Sequence, residues 1–192
     1  MAAKKAIARV ARKRKRALRR FKRSPSHFRF VEHPRYGSQP IRSGERWTEA
    51  KIRHAYWRYN SERMIFPESA ITADIARQCY GYSPRRVYVD CARVCRTCHR
   101  PFLFFALEQQ FWFEVLKFFV EADCRHCQGC RCESQLFKRS VAEYDGLISQ
   151  PEKTRADWGR LEELGDVLFA EGYVTKPETL LKSRMPKRLR TM

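Results

Sequence analysis

Cys95-Arg96-Thr97-Cys98 and, after an aromatic-rich run, Cys124-Arg125-His126-Cys127-Gln128-Gly129-Cys130-Arg131-Cys132 decide how this chain is read. A Cys-x-x-Cys turn presents two thiolates to one ion, and zinc takes four soft ligands in a tetrahedron. Two such turns complete the shell. The loop between them, residues 99–126, is longer than usual for such sites and long enough for a strand and a helix. Cys95 and Cys98 form the first pair, with Cys91 as the one rival nearby. The second side offers two overlapping frames, Cys124/Cys127 and Cys127/Cys130. An iron–sulfur reading of Cys124, Cys127 and Cys130 needs a fourth cysteine three residues on, followed by proline. Cys132 and Glu133 come next instead. Buried free cysteines are common, yet cysteines this dense in paired Cys-x-x-Cys turns point to a metal, and Zn2+ is the expected cofactor.

After Cys98 come Phe102, Phe104, Glu108 and Gln109, then Phe111-Trp112, then Cys-x-x-Cys-Arg. This order resembles the probable zinc-ribbon domain family of bacteria. In that family the last ligand is followed by Arg. Arg131 follows Cys130, whereas Gln128 follows Cys127. The resemblance therefore implies Cys95, Cys98, Cys127 and Cys130 as ligands, with about three residues inserted before the second pair. A gap-free alignment selects Cys124 and Cys127, so Cys124 stands as a competing ligand. The whole chain also resembles longer bacterial members carrying His33-Pro34-Arg35-Tyr36-Gly37 and Phe66-Pro67-Glu68-Ser69. The resemblance implies a metal site and no established activity.

The 192 residues fit one domain or two small ones, and 43% hydrophobic with 13% aromatic residues supports a core. No apolar run reaches the roughly 18 residues that span a membrane. The N-terminus has no apolar stretch of the secretory kind. Together these predict a cytoplasmic protein whose eight cysteines serve as thiols and metal ligands rather than disulfides.

The net charge of +19 is uneven. Residues 1–23 carry +12, 24–94 carry +5, 95–132 carry +1, 133–175 carry −4 and 176–192 carry +5. The tails are basic and the body is near balance. Residues 1–23 read as a basic arm, disordered in isolation because like charges repel. Its Arg12, Lys13, Arg14, Lys15, Arg16, Arg19 and Arg20 are the candidate nucleic-acid contacts. A mitochondrial transit peptide competes, but the arm is poor in Ser.

Residues 24–85 read as loop and short helices. Thr48 is placed to cap a helix through about Tyr59, with Ile52, Ala55 and Tyr56 on one face. Phe66-Pro67-Glu68-Ser69 reads as a turn, and Thr72 as the cap of a short helix from Ala73 to Tyr80. The zinc-ribbon module occupies 86–132. Arg86–Asp90 alternates like a strand, and Arg100–Phe105 is its hairpin partner. Leu107, Phe111, Val115 and Phe119 recur every four residues, which predicts a helix from Ala106 to Val120 packed on the hairpin. Glu108 and Gln109 then sit in its first turn as structural groups. Residues 133–173 read as helical, with Leu136, Phe137, Val141, Tyr144, Leu147 and Ile148 on one face and Trp158, Leu161, Leu164, Val167, Leu168 and Phe169 on another. Pro151 suits a helix start and Gly172 a C-cap. Residues 174–192 read as a basic irregular tail. The fold class is α+β: a small zinc ribbon (hairpin plus helix with a four-cysteine site) flanked by helical segments and basic tails.

No phosphate loop, nucleophile elbow, His-Glu-x-x-His or kinase signature is present, and no acid–base pair stands out. A non-enzymatic protein is expected, with no membrane association or small-molecule substrate implied. Its expected partner is nucleic acid, RNA or a ribonucleoprotein before duplex DNA because no recognition helix is apparent. The alternative is a protein docked on the aromatic face around Phe111, Trp112 and Phe113. His99 and His126 flank the cysteines and read as surface residues beside the knuckles, with metal ligation, or a hydrogen bond to a ligand sulfur, as the rival.

Overall fold

The computed structural model describes residues 29–184 and 186. The predicted arm with Arg12, Lys13, Arg14, Lys15, Arg16, Arg19 and Arg20 lies outside the described residues, as does the end of the C-terminal tail. The chain divides into two compact units, Met1–Cys130 and Arg131–Met192.

The first unit is built on an antiparallel sheet of order β1-β2-β3, with β1 at Ile65–Thr72, β2 at Val87–Val94 and β3 at Pro101–Phe104. Alternating side chains of a strand leave by opposite faces, and the central strand β2 is buried on both. Val87, Val89 and Cys91 join Ile52, Tyr56 and Tyr59 in one cluster, while Tyr88 joins Ala106, Phe113 and Val120 in another.

Thr48 caps α1 (Glu49–Ala55) as expected, its Oγ1 accepting the Lys51 N–H at 3.3 Å. The helix does not run on to Tyr59. Tyr56 is extended and a 3-10 turn, Trp57–Ser61, takes over. That break lets two tyrosines enter the core: Tyr56 Oη donates to the Val120 carbonyl at 3.3 Å, and Tyr59 Oη to that of Val87 at 2.8 Å.

The expected turn at Phe66-Pro67-Glu68-Ser69 is instead part of β1, where the register shifts between Phe66 and Ile71. Proline is tolerated at a bulge on an outer strand, where no ladder N–H is needed. Thr72 is no helix cap either. Its N–H and hydroxyl are taken by the Glu45 carboxylate at 3.0 and 2.6 Å, and Asp74 caps a single 3-10 turn, Ile75–Arg77. The segment before α1 also covers backbone groups of both outer strands. Ser43 N–H donates to the Glu68 carbonyl in β1 at 3.0 Å, and Val31 N–H to that of Pro101 in β3 at 2.8 Å.

The predicted helix 106–120 is short and turned over. α2 (Ala106–Gln110) passes into a π-helical turn, Phe111–Val115, and Lys117 with φ 57° ends it. Leu107, Phe111, Val115 and Phe119 are exposed, Val115 at 52%; the buried side carries Ala106, Glu108, Gln109, Phe113 and Glu114. The Gln109 amide sets this rotation. Nε2 donates to the carbonyls of Val89 at 2.6 Å and Phe104 at 3.0 Å, and Oε1 accepts from Arg85 Nη1 at 3.4 Å and shares the Tyr59 hydroxyl proton at 3.2 Å. A buried amide with its bonds made outweighs an apolar stripe that sequence periodicity favours.

In the second unit, α3 (Gln128–Ser149, from Arg131 onward), α4 (Arg155–Ala170) and α5 (Pro177–Lys182) enclose Tyr144, Leu161, Leu164, Leu168 and Val174, with Val141, Leu147, Ile148 and Trp158 against them. Leu136, Phe137, Val167 and Phe169, expected on buried faces, are exposed. Thr154 rather than Pro151 starts α4, through a capping box with Asp157. Gly172 ends it at φ 78°, a conformation glycine adopts without a Cβ penalty. α5 places a helix inside the tail expected to be irregular. No helix among the described residues is long and apolar enough to cross a membrane.

Candidate metal centre

β2 runs directly into Cys95. The Cys95 N–H donates to the Arg100 carbonyl at 3.0 Å, and the His99 N–H to the Cys95 carbonyl at 3.1 Å. His99 at φ 60° closes the turn in the left-handed region, which few non-glycine residues visit. The chain thus doubles back into β3 with Cys95 and Cys98 on one knuckle. On the other side, Cys127 immediately precedes α3 and Cys130 stands in its first turn. The N-terminal end of a helix favours thiolates through its free N–H groups and dipole.

The sulfurs of Cys95, Cys98, Cys127 and Cys130 all lie within 4.8 Å of one another. Cys98 Sγ and Cys127 Sγ are 3.8 Å apart. Metal–sulfur bonds of about 2.3 Å in a tetrahedron put the sulfurs about 3.8 Å apart. Cys95 and Cys127 are buried, Cys98 and Cys130 half-buried. Phe102 and Phe104 are packed in the same cluster, with Val31 and Trp112 against it, and the Phe104 and Trp112 ring centres lie 5.0 Å apart. Size, donor softness and apolar shell all fit a metal ion.

The thiols are electrostatically unequal. Burial pushes Cys95 up, but the backbone N–H groups of Cys127, Cys98 and Thr97 more than offset it and hold the thiol down at about 7. Burial raises Cys127 and Cys130, and for Cys130 the hydrogen bonds its thiol donates to the neighbouring sulfurs add to it. Four thiolates at this separation repel, and a bound cation removes that conflict.

The four-sulfur group excludes Cys124, which is buried beside it with Sγ donating to the His126 carbonyl at 3.5 Å. Cys91 is buried under the sheet, where burial raises its thiol and Sγ donates to the Val89 carbonyl at 3.2 Å. His99 and His126 are half-buried and outside the group, and His99 Nδ1 is buried without a hydrogen-bond partner among the described residues. The apparent surface histidine at position 99 is therefore partly enclosed.

Of the other residues that carried the resemblance, Phe102, Phe104 and Trp112 pack around the centre. Phe102 and Phe104 face the sulfurs. His33 Nδ1 accepts the N–H groups of Arg35 and Tyr36 at 3.1 and 3.3 Å, which leaves the proton on Nε2, 3.8 Å from Glu108 Oε1. The expected interaction face is divided: Phe113 is fully buried and Trp112 half-buried, leaving Phe111 on the exposed stripe.

Two buried charged residues carried no signal in the sequence. Asp90 Oδ2 accepts the Ile41 N–H at 2.9 Å and Oδ1 that of Ala106 at 2.6 Å; burial pushes its carboxyl up to about 6 against those bonds. Arg85 lies between rings, its guanidinium carbon 4.6 Å from the Tyr56 centre and 4.5 Å from that of Phe113, with Nε donating to the Val120 carbonyl at 2.9 Å.

Residues 89–138 match the family model described as a probable treble clef domain. The matched stretch spans the hairpin, α2, all four clustered cysteines and the start of α3. No curated protein and no solved structure matches the chain.

Proposed function

We propose that this is a non-enzymatic zinc protein in which Cys95, Cys98, Cys127 and Cys130 hold one structural zinc ion and the basic segments contact nucleic acid, RNA in preference to duplex DNA. The observation that carries the metal reading is the convergence of four thiols within 4.8 Å of one another, with Cys98 and Cys127 at 3.8 Å. Four protein sulfurs make the closed composition of a structural site, whereas catalytic zinc characteristically has three protein ligands and an open position. When bound, zinc neutralises the thiolates and cross-links the hairpin to the start of α3. Arg12, Lys13, Arg14, Lys15, Arg16, Arg19 and Arg20 supply phosphate contacts, which give affinity without reading sequence. The thiol chemistry suits the reducing cytoplasm. Salt titration of the intact protein against a short RNA tests the reading: no salt-sensitive binding overturns it.

A second reading, a protein-interaction module, draws on the exposed stripe of Leu107, Phe111 and Val115. Its chemistry suits a partner with an apolar helix face.

A further inference from the structure

An open groove of about 440 Å³ lies beside the metal centre. Arg58, Arg63, Arg93, Arg96 and Arg125 line it against two carboxylates, Glu62 and Asp123, with Trp57 on its wall. Arg93 takes up both acids, pairing with Glu62 and, at 2.5 Å, with Asp123. Arg125 shares Asp123 at 3.2 Å. Arg58 donates to the Glu121 carbonyl and lies over the Trp57 ring, 5.3 Å from its centre. Arg63 and Arg96 are exposed and make no side-chain ion pair or hydrogen bond among the described residues. The acids are thus spent on Arg93 and Arg125, and the open face of the groove is cationic.

Trp57 is 56% exposed although it follows the buried Tyr56. A tryptophan held on a 3-10 turn, backed by one guanidinium and flanked by two uncommitted ones, combines a stacking surface with phosphate ligands. Nonspecific single-strand sites are made of these two parts. Bases of a duplex are stacked on one another and cannot reach such a ring.

We propose that this groove binds single-stranded nucleic acid, with an unpaired base stacked on Trp57 and the adjoining phosphates held by Arg63 and Arg96. The proposal rests on the nucleic-acid reading above and gives it a place on the folded unit, separate from residues 1–23. Arg96 belongs to the Cys95–Cys98 knuckle, so metal binding would fix one wall of the groove.

The test uses the full-length zinc-loaded protein and a fluorescent ten-nucleotide oligouridylate, with an oligodeoxythymidylate of the same length and a duplex of matched length as further arms. Zinc content and circular dichroism establish that each variant is folded. W57A is expected to weaken single-strand binding about 5- to 150-fold, the range for loss of one stacked base, and W57F to restore most of it. R63A/R96A is expected to lower the slope of log affinity against log salt by about 1.4. Equal effects on the RNA and DNA strands assign the site to either sugar; an effect on RNA alone assigns it to RNA. Variants that bind like wild type overturn the groove and leave the arm reading standing. A wild type that binds no strand overturns both. Loss with R63A/R96A but not with W57A overturns base stacking and hence the proposal. A glutamate decapeptide that displaces the RNA at equal concentration also overturns it, and assigns the groove to an acidic protein segment.

Discussion

The backbone N–H of Arg96 donates to the backbone carbonyl of Arg125 at 2.9 Å. This bond joins the turn that carries Cys95 and Cys98 to the strand of chain leading into Cys127. Main-chain pairing thereby brings the two cysteine pairs face to face, and the metal would lock an arrangement that the polypeptide already favours.

Elemental analysis is expected to give one zinc per chain in a colourless protein. Cys95→Ser and Cys130→Ser should each lose the metal, and Cys124→Ser should keep it, since Cys124 is outside the four-sulfur group. Thiolate zinc in small peptides contributes on the order of 10–16 kcal/mol, so chelation should unfold the hairpin and its knuckles. Zinc retained by Cys130→Ser but lost by Cys124→Ser would establish the other frame.

Gln109→Ala should lower stability by about 3 kcal/mol or more. It strips partners from the buried carbonyls of Val89 and Phe104 and leaves a cavity. Denaturant unfolding measures the loss, and an unchanged midpoint would remove Gln109 from its place as the pivot of α2.

Asp90 gives a pH signature. Its folded carboxyl sits at about 6 against an ordinary 3.8, raised by burial. The folded state therefore holds the proton more tightly. The resulting stability is full below about pH 4 and is lost as pH rises through 6. Asp90→Asn cannot titrate, so the unfolding free energy of wild type relative to this variant should fall by about 1 kcal/mol from pH 5 to 7. A flat difference would mean that the bonds from Ile41 and Ala106 overcome burial.

Two glycines in α4 should respond oppositely to alanine. A Cβ on Gly159 meets nothing, so Gly159→Ala should stabilise by up to about 1 kcal/mol from helix propensity. On Gly165 a Cβ would lie 2.6 Å from Ser183 Oγ and 3.2 Å from its Cβ. Ser183 is fully buried, so Gly165→Ala should destabilise despite the same propensity gain. Thermal unfolding of the pair measures both.

The hairpin was legible because Val87 and Val89 alternate along the approach to a Cys-x-x-Cys turn and a short apolar run, Pro101–Phe104, leaves it. The Thr48 cap and the role of Gly172 were legible because both depend on local backbone chemistry. The face of α2 was not. A four-residue apolar period ordinarily marks the inside, but here Gln109 finds two partners far away in sequence, Val89 on β2 and Tyr59 on the 3-10 turn, besides nearby Phe104 at the end of β3. Periodicity carries no information about such bonds. Pro67 misled for a similar reason: proline signals a turn unless an outer strand happens to bulge at that point. Arg85 and Asp90 were invisible because nothing in a charged residue's neighbours announces that rings or backbone N–H groups will converge on it. Among the cysteines, spacing left two frames for the second pair. Only Cys127 and Cys130 lie with Cys95 and Cys98 in the structure.

The covering of β1 and β3 by the segment around Val31 and Ser43 bears on how copies of this chain meet. Bare strand edges recruit further strands and seed fibrillar aggregates. Here Pro67, the bulge and the flanking segment disrupt or occupy that template on both sides of the sheet. At the concentrations reached during overproduction, the folded first unit should accordingly stay dispersed, and whatever self-association it shows should be reversible and side-chain mediated rather than amyloid-like.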